Sequence, residues 1–352
     1  MAFGECVTEP GSRTPDTDAR TRVSILTGFL GSGKTTLLNH LLRSSRGLRV
    51  AVIENEYGEV GVDDALVNIE TEEEVFEMNN GCVCCTVRGD LIRILYKLAS
   101  RRPPLDYVLI ETTGLADPAP VAQTFFVDAQ IKRHYDLDAI LTVVDARHVL
   151  AHIVDHQRPE GAENECQEQI GFADKILLNK VDLVTDAERR MVMERVREIN
   201  RFAQIFETEH AVVDATAVLG IRAFDLSAVL RREEDFLDTT VEHVHDDSII
   251  SVGFALPGAF NLVRLNARLA TLLRERGADI FRSKGVLHVA GSDARFVFQG
   301  VHMLMSLASS EAGFGRPWEE GEPRISRIVF IGRGLDRSEL KEKFLACMVE
   351  HA

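Results

Sequence analysis

The feature that most constrains this chain is the stretch GFLGSGKTT at positions 28–36, which has the pattern G-x-x-x-x-G-K-[ST]. The residues before it, 22–27, are apolar and β-branched, and residues 35–43 after it carry leucines at helical spacing. A glycine-rich turn between a buried strand and a helix lets backbone N–H groups surround a phosphate at the start of the helix. The stretch therefore predicts a phosphate-binding loop within an α/β fold.

The residue types in this loop predict which atoms meet a nucleotide. Lys34 is expected to reach the β- and γ-phosphates, and the hydroxyl of Thr35 is expected to bind Mg²⁺. A glycine-rich turn that only resembles the pattern is the alternative, and the flanking strand and helix disfavour it. The candidate nucleotide-binding residues of the loop are Gly28, Gly31, Ser32, Gly33, Lys34, Thr35 and Thr36.

A second motif indicates which nucleotide is bound. Asn179, Lys180 and Asp182 form an N-K-x-D sequence after the predicted strand 175–178. An aspartate accepts two hydrogen bonds from the N1–H and the exocyclic amine of guanine, which adenine lacks. Asn179 is expected to bond the base edge, and the Lys180 stem to lie against the ring. Downstream of a phosphate loop, this motif favours GTP over ATP.

Between the two motifs, Glu111 ends the apolar run 107–110 and is followed closely by Gly114. On its own this pattern fits a strand that ends in a polar turn. Its place between the other two motifs favours a contact to Mg²⁺ or to the attacking water, followed by a turn that senses the γ-phosphate. The predicted catalytic residues are Lys34, Thr35 and Glu111.

Cys82, Cys84 and Cys85 lie within four positions in the turn NNGCVCC, whereas the other three cysteines are isolated. Three thiolates so close together suit one borderline cation, Zn²⁺ or Co²⁺. No second pair of cysteines completes a structural zinc site, so the incomplete set favours metal transfer. A redox-active cysteine pair and buried packing cysteines are the alternatives.

An acidic segment and two histidines are further candidate ligands. Glu54 directly follows the apolar strand 49–53, and Glu59 lies in the acidic loop after it. In a nucleotide switch protein such a loop commonly senses the γ-phosphate, and its carboxylates suit Mg²⁺, the attacking water or a transported metal. His243 and His245, in the charged stretch 231–247, fit a solvated connector better than a metal site.

The order of patterns predicts two folded units. Apolar runs at 22–27, 49–53, 107–110, 139–145 and 175–178 alternate with amphipathic helices, which is typical of a doubly wound, mostly parallel sheet. We expect a disordered leader at 1–20, a P-loop GTPase domain at 21–228, a linker at 229–247 and a smaller α+β domain at 248–350. In the last, strands are expected at 249–254, 285–290, 296–301 and 327–332, with helices at 260–274 and 337–348.

Net charge and hydropathy limit the classes of partner that this chain is expected to bind. The 40 basic and 55 acidic residues give a net charge of −15, which disfavours nucleic-acid binding. No apolar run approaches the roughly 18 residues of a membrane span, and no secretory signal is evident. We therefore expect a cytoplasmic protein that binds neither nucleic acid nor membrane.

Taken together, these stretches resemble the CobW-like metallochaperone GTPases, a family of P-loop GTPases, over residues 22–349. The matching stretches are 27–38, 52–64, 80–85, 110–118 and 177–182, and in the C-terminal part 284–288, 298–301, 316–318 and 330–336. The ADPAP sequence at 116–120 and the ENEYGE form of the loop at 54–59 look closest to the bacterial YjiA-like branch. The resemblance implies a P-loop GTPase with an α+β C-terminal domain.

The resemblance also implies a metal site. Cys82, Cys84 and Cys85 would bind Zn²⁺ or Co²⁺, and Glu54 and Glu59 are candidates because the branch's acidic loop is associated with metal. The chain lacks the long polyhistidine tract of some members and the Cys-Pro-Glu-Leu-Val-Pro-Ile docking stretch of the eukaryotic ones. The identity of a client protein therefore does not carry over.

The leading hypothesis is a GTP-dependent metallochaperone that couples hydrolysis of GTP to metal delivery to a client protein. No arginine finger within the chain is identifiable, so we expect slow intrinsic turnover. The protein is expected to act as a monomer or as a metal-dependent homodimer. The alternatives are a regulatory GTPase with a structural zinc and, disfavoured by the N-K-x-D motif, a P-loop kinase.

Overall fold

The structure is a computed structural model of the 352-residue chain. It describes residues 20–45, 47–54, 74–77, 86–154, 164–224, 249–309, 317–319 and 321–349. The predicted leader and linker therefore lie outside the described residues, apart from Arg20, and the predicted domain boundaries stay predictions. No described helix is long and apolar enough to cross a membrane.

The N-terminal part is built on a parallel sheet. Its strands are β1 (Thr21–Thr27), β2 (Val50–Glu54), β3 (Glu74–Glu77), β4 (Tyr107–Glu111), β5 (Tyr135–Asp145), β6 (Lys175–Asn179) and β7 (Gln204–Thr208). Among the described residues these form a seven-stranded sheet in the order β3-β2-β4-β1-β5-β6-β7, with every pair parallel. All five residues of β2 are buried, as are 23–27 in β1. Such two-sided burial explains the unbroken apolar runs of the sequence.

Helices connect these strands. They are α1 (Lys34–Ser44), α2 (Thr86–Ala99), α3 (Ala119–Val127), α4 (Ile131–His134), α5 (Val149–Ile153), α6 (Glu165–Phe172), α7 (Asp186–Ile199) and α8 (Ala215–Val218). Helix α1 buries Leu37, Leu38, Leu41 and Leu42, the stripe that the leucine spacing predicts. Helix α7 begins with a capping box between Thr185 and Glu188.

The C-terminal part is built on an antiparallel sheet. Its strands are β8 (Ile249–Pro257), β9 (Ile280–His288), β10 (Arg295–Val301), β11 (Leu304–Ser309) and β12 (Ile325–Arg333), in the order β11-β10-β9-β12-β8. Helices α9 (Leu262–Arg276) and α10 (Arg337–Leu345) belong to the same part. Phe254, Phe298, Phe330 and Phe344 are fully buried in its core. The predicted fold class, a parallel P-loop sheet with a smaller α+β unit, is confirmed.

Three strands were not expected from the sequence: β3, β7 and β11. All three are edge strands of their sheets. Strand β7 has the burial pattern exposed–intermediate–intermediate–exposed–buried, and β11 has no buried residue. Strands β7 and β11 have less cover than the central strands, so their sequences lack the apolar run by which those strands are recognised. The fourth edge strand, β8, keeps such a run and was predicted at 249–254.

Candidate functional site

The loop between β1 and α1 has the conformation that its glycines permit. Gly28, Gly31 and Gly33 have φ values of 142°, 73° and 110°, a region that favours glycine. A Cβ on Gly28 would lie 2.2 Å from the carbonyl oxygen of Val143, and one on Gly33 would lie 2.5 Å from Nδ2 of Asn179. Two of the glycines are therefore required by both backbone angle and close packing.

Polar groups converge inside this loop. The buried Lys34 side chain donates from Nζ to the carbonyl oxygens of Gly28 at 2.9 Å and Phe29 at 3.4 Å. The hydroxyls of Thr27 and Ser32 are buried and make no hydrogen bond to any described residue. Gly33 is the N-cap of α1, so the first N–H groups of that helix have no intrahelical acceptor. A cation, two spare hydroxyls and a helix N-terminus form an environment suited to an anion.

The carboxyl edge of the sheet brings acidic groups beside the loop. Thr35 Oγ1 donates to Glu111 Oε1 at 3.0 Å. Glu54 and Glu111 end the neighbouring strands β2 and β4 in direct register, and Glu54 is 6% exposed. Two carboxylates and a hydroxyl at one edge are oxygen donors of the kind that Mg²⁺ prefers.

The turn that follows β4, residues 112–116, packs directly on the loop. Gly114 leaves no room for a side chain, because a Cβ would lie 2.7 Å from the backbone of Leu30. The side chain of Gln169 on α6 donates from Nε2 to the carbonyl oxygens of Gly114 at 3.1 Å and Ala116 at 3.2 Å. Gln169 was not identified from the sequence, since no motif marks a glutamine inside a helix.

The side chain of Asn179 forms hydrogen bonds to other residues of the protein. Its side chain donates to the carbonyl oxygen of Ser32 at 2.9 Å and accepts from Ala211 N at 2.8 Å and Thr208 Oγ1 at 3.2 Å. The residue is 2% exposed. Asn179 thus joins the phosphate loop, the end of β7 and the segment after it, while its predicted contact to a base edge stays a prediction.

Lys180 has a backbone φ of 62° and lies across the loop. Its Nζ donates to Gly31 O and to Asp145 Oδ2, both at 2.7 Å. Burial would raise the pKa of Asp145, but the hydrogen bonds from Lys180, His148 and the Arg147 amide lower it below its usual value. Asp145 was missed in the sequence, although it ends a buried strand just as Glu111 does.

Two other predicted positions of the nucleotide site are exposed. Asp182 lies in a short 3₁₀ turn, Val181–Leu183, and is exposed next to Lys180. Thr36 in the first turn of α1 is exposed as well. The structure thus places all the predicted nucleotide-binding residues around one end of the parallel sheet.

The proposed metal ligands are placed only in part. Cys82, Cys84, Cys85 and Glu59 lie outside the described residues, as do His243 and His245. Within the described part of the chain, no group of three or more histidine, cysteine, aspartate or glutamate side chains is arranged to hold a metal ion. Of the isolated cysteines, Cys166 and Cys347 are buried.

The parallel sheet with this loop at its carboxyl edge defines a P-loop GTPase fold. The sequence profile of the CobW/HypB/UreG nucleotide-binding domain matches residues 22–207, and that of the cobalamin synthesis protein cobW C-terminal domain matches 249–348. The chain therefore belongs to the CobW/HypB/UreG family, and the resemblance inferred from the sequence is confirmed.

Similar proteins cover nearly the whole chain. It is 35% identical to the zinc chaperone YjiA of Escherichia coli, over 92% of this chain and 97% of that protein. It is 33% identical to the zinc-regulated GTPase metalloprotein activator 1 of Schizosaccharomyces pombe, over 90% of this chain and 83% of that one. The crystal structure of Zn(II)-bound YjiA GTPase from E. coli superposes with a TM-score of 0.73 at 31% identity, covering 94% of this chain and 100% of that chain.

Proposed function

We propose that this protein is a GTP-dependent metallochaperone, which hydrolyses GTP slowly to GDP and phosphate and delivers Zn²⁺ to a client protein. One observation carries the coupling of the two activities. Glu54, the last residue of β2 before the acidic loop, lies in register with Glu111, which accepts the hydrogen bond of Thr35, and with Glu77, the last residue of β3 before the cysteine cluster. The acidic loop with Glu59 therefore begins beside the proposed Mg²⁺ site, and the segment with the cysteines begins one strand further along the same edge of the sheet.

In this proposal Lys34 leaves the loop carbonyls that it now contacts and binds the β- and γ-phosphates. The N–H groups at the start of α1, from Lys34 to Thr36, bind phosphate oxygens together with Gly31 and Gly33. Asp182 reads guanine, and the Lys180 stem covers the base. Asp145 positions Lys180 through the 2.7 Å contact between the carboxylate and Nζ.

Thr35 and Glu111 are the residues that would hold Mg²⁺, with Thr35 through its hydroxyl and Glu111 directly or through water. Mg²⁺ supplies charge neutralisation of the phosphates when bound. Glu111 also orients the attacking water. Because no arginine finger from this chain is assigned, the transition-state charge is neutralised only in part and hydrolysis is slow.

Cys82, Cys84 and Cys85 are the proposed ligands of the transported ion, with Glu54 and Glu59 as oxygen ligands. The two zinc-chaperone and zinc-regulated relatives support Zn²⁺, and thiolates also accept Co²⁺. GTP orders the acidic loop and closes the metal site, and hydrolysis opens it. By linkage, GTP and the metal raise each other's affinity by the same factor. The client is a metalloprotein, and the protein acts in the cytoplasm as a monomer or a metal-dependent homodimer.

The experiment measures transfer of Zn²⁺ from the full chain, loaded with one equivalent, to a chromogenic chelator. We expect release with a non-hydrolysable GTP analogue to be about five-fold or more slower than with GDP, the lower range of allosteric coupling. An Asp182→Asn variant should respond to the xanthosine analogue instead, because the amide pairs with the oxo group that xanthine has in place of the guanine amine.

Matched variants separate the parts of the proposal. Asp186→Asn makes the same charge change four residues along in an exposed position and should keep the guanine response. Cys84→Ser should lose zinc retention, whereas Cys6→Ser should keep it. Release rates that are equal in all nucleotide states would support a regulatory GTPase with a structural zinc. An Asp182→Asn variant that still prefers guanine would overturn the base assignment.

A further inference from the structure

Helix α6 lies between the nucleotide site and the C-terminal sheet. It is eight residues long and is preceded by its N-cap Asn164, whose side chain accepts from Gln167 N. Its residues Glu168, Gln169, Ile170, Gly171 and Phe172 are all buried. Buried residues on successive positions mean that the helix has neighbours on more than one side.

On one side, Gln169 holds the turn 112–116. The residue is 1% exposed, and its Nε2 donates to two carbonyl oxygens of the turn, those of Gly114 and Ala116. The backbone carbonyl oxygen of Gln169 accepts from Thr142 Oγ1 at 2.8 Å, which fixes the helix to β5. Because the turn packs on Leu30 of the phosphate loop, Gln169 reaches the nucleotide site through one layer of backbone.

On the other side, the same helical turn meets the C-terminal sheet. Glu168 is 4% exposed and pairs at 2.8 Å with Arg333, at the end of β12. Gly171 has no room for a larger residue without a shift: a Cβ would lie 3.1 Å from Phe281, 3.4 Å from Ile249 and 3.6 Å from Ile331. These contacts come from β8, β9 and β12, so three strands rest on one short helix.

Adjacent residues of α6 therefore contact two different parts of the molecule, the turn 112–116 and the C-terminal sheet. The turn 112–116 cannot move away from α6 without leaving two carbonyl groups or the Gln169 amide without their partner, and buried polar groups strongly resist such a loss. Helix α6 cannot move without disturbing the Glu168–Arg333 pair and the packing at Gly171. A displacement of the turn 112–116 must therefore be accompanied by a displacement of the C-terminal sheet, and the reverse also holds.

We propose that Gln169 is a positioning residue for the γ-phosphate-sensing turn, and that α6 couples this turn to the C-terminal sheet through Glu168 and Arg333. The inference rests on the proposed GTPase function. A ligand that binds the C-terminal sheet then changes the preference of the site for GTP over GDP. By linkage, exchanging GDP for GTP changes the affinity of the sheet for that ligand by the same factor.

The test is a double-mutant cycle on the full chain, read as the ratio of dissociation constants for GDP and a non-hydrolysable GTP analogue. Gln169→Met keeps a straight side chain but removes the donor. We expect about a five-fold or larger loss of affinity for the analogue with little change for GDP, which has no γ-phosphate for the turn to sense. Arg333→Met should lower the same ratio about two- to three-fold, and Arg333→Lys should restore most of it.

The double variant decides the coupling. Once Gln169 has released the turn, Arg333 has nothing to act on, so the double variant should resemble Gln169→Met alone. The control is Arg324→Met, which breaks a 2.8 Å ion pair to the exposed Asp293 and should leave the ratio unchanged. If the two effects multiply, or if Arg333→Met changes only thermal stability, the coupling is wrong.

Two further outcomes keep this inference separate from the proposed function. A wild-type chain that binds neither nucleotide refutes the proposed GTPase function itself. A wild-type chain with a clear preference that both variants retain refutes only the role of α6. If Gln169→Met does not fold, Arg333→Met decides alone, because Arg333 is one-third exposed and lies on the other part of the molecule.

Discussion

Asn179 shows at the residue scale how the nucleotide site is held together. Its amide spans Ser32 of the phosphate loop, Thr208 at the end of β7 and Ala211 beyond it. Gly33 lies against this amide with a φ of 110°. The loop conformation therefore depends on a contact between two motifs that are far apart in the sequence.

Replacing Gly33 by alanine should lower the free energy of unfolding by about 2–4 kcal/mol. The left-handed backbone angle costs an L-residue about 1–2 kcal/mol, and displacing the Asn179 amide costs a comparable amount. Gly47→Ala is the matched control, because its φ is 91° but a Cβ there would meet nothing within 4 Å. Urea denaturation of both variants measures the difference. Equal losses would show that Asn179 adds nothing to the constraint on Gly33.

Among the elements, the central strands, the main helices and the edge strand β8 follow from local pattern, and the edge strands β3, β7 and β11 do not. Strand β2, at Val50–Glu54, is shifted by one residue from the predicted 49–53 and ends one residue beyond its apolar run. Strand β9 begins at Ile280, earlier than the predicted 285–290. The prediction missed its first half because the charged residues Arg282 and Lys284 break the apolar run. Their charge is compensated by Asp174, in the loop between α6 and β6, and a local pattern does not contain that contact.

The end of β9 predicts a pH dependence of stability. Burial lowers the pKa of His288 below 6.5, as does the charge of Arg324, while the bond to Gly258 O and the charge of Asp293 oppose the shift. The unfolded chain then binds the proton more tightly than the folded chain. We expect the contribution of the neutral His288 to the free energy of unfolding to be complete above about pH 6.5. This contribution should fall as the pH drops towards the folded-state pKa of His288.

A His288→Gln variant should lose this part of the pH slope, because glutamine does not titrate. The only tryptophan of the chain, Trp318, lies with its ring centroid 6.1 Å from that of His288, so its fluorescence reports unfolding close to the titrating group. Urea midpoints at several pH values, for the wild type and the variant, give the comparison. Parallel pH profiles for the two proteins would assign the slope to other groups.

At the scale of the whole molecule, Asp174 joins the two sheets. Its side chain is 2% exposed and binds both Arg282 and Lys284 of β9, the latter at 3.1 Å. The other carboxylate oxygen accepts from the backbone N–H of Ile140 in β5. The Arg282 guanidinium also lies 4.2 Å from the ring centroid of Phe224.

Asp174→Ala should destabilise the protein by about 3–5 kcal/mol, because it leaves the buried Arg282 and the partly buried Lys284 without their carboxylate. Asp293→Ala removes the partner of Arg324 at the surface, where the Asp293 side chain is 92% exposed, and should cost no more than about 1 kcal/mol. Denaturant unfolding of the two variants measures both values. A small effect of Asp174→Ala would mean that solvent enters the interface and screens the two cations.

The sequence alone determined the phosphate loop, the N-K-x-D motif, the central strands and the division into two sheets. These features follow from local spacing, because the backbone angles and the burial of one or both faces of an element determine which residue types occur at nearby positions. Which distant groups meet became visible in the fold: Glu54 lies beside Glu111, Asp145 binds Lys180, and Gln169 binds the turn at Gly114. The reason is that strand order in a parallel sheet is set by crossover connections and packing, and a polar side chain in a helix carries no local sign of the partner it will bind.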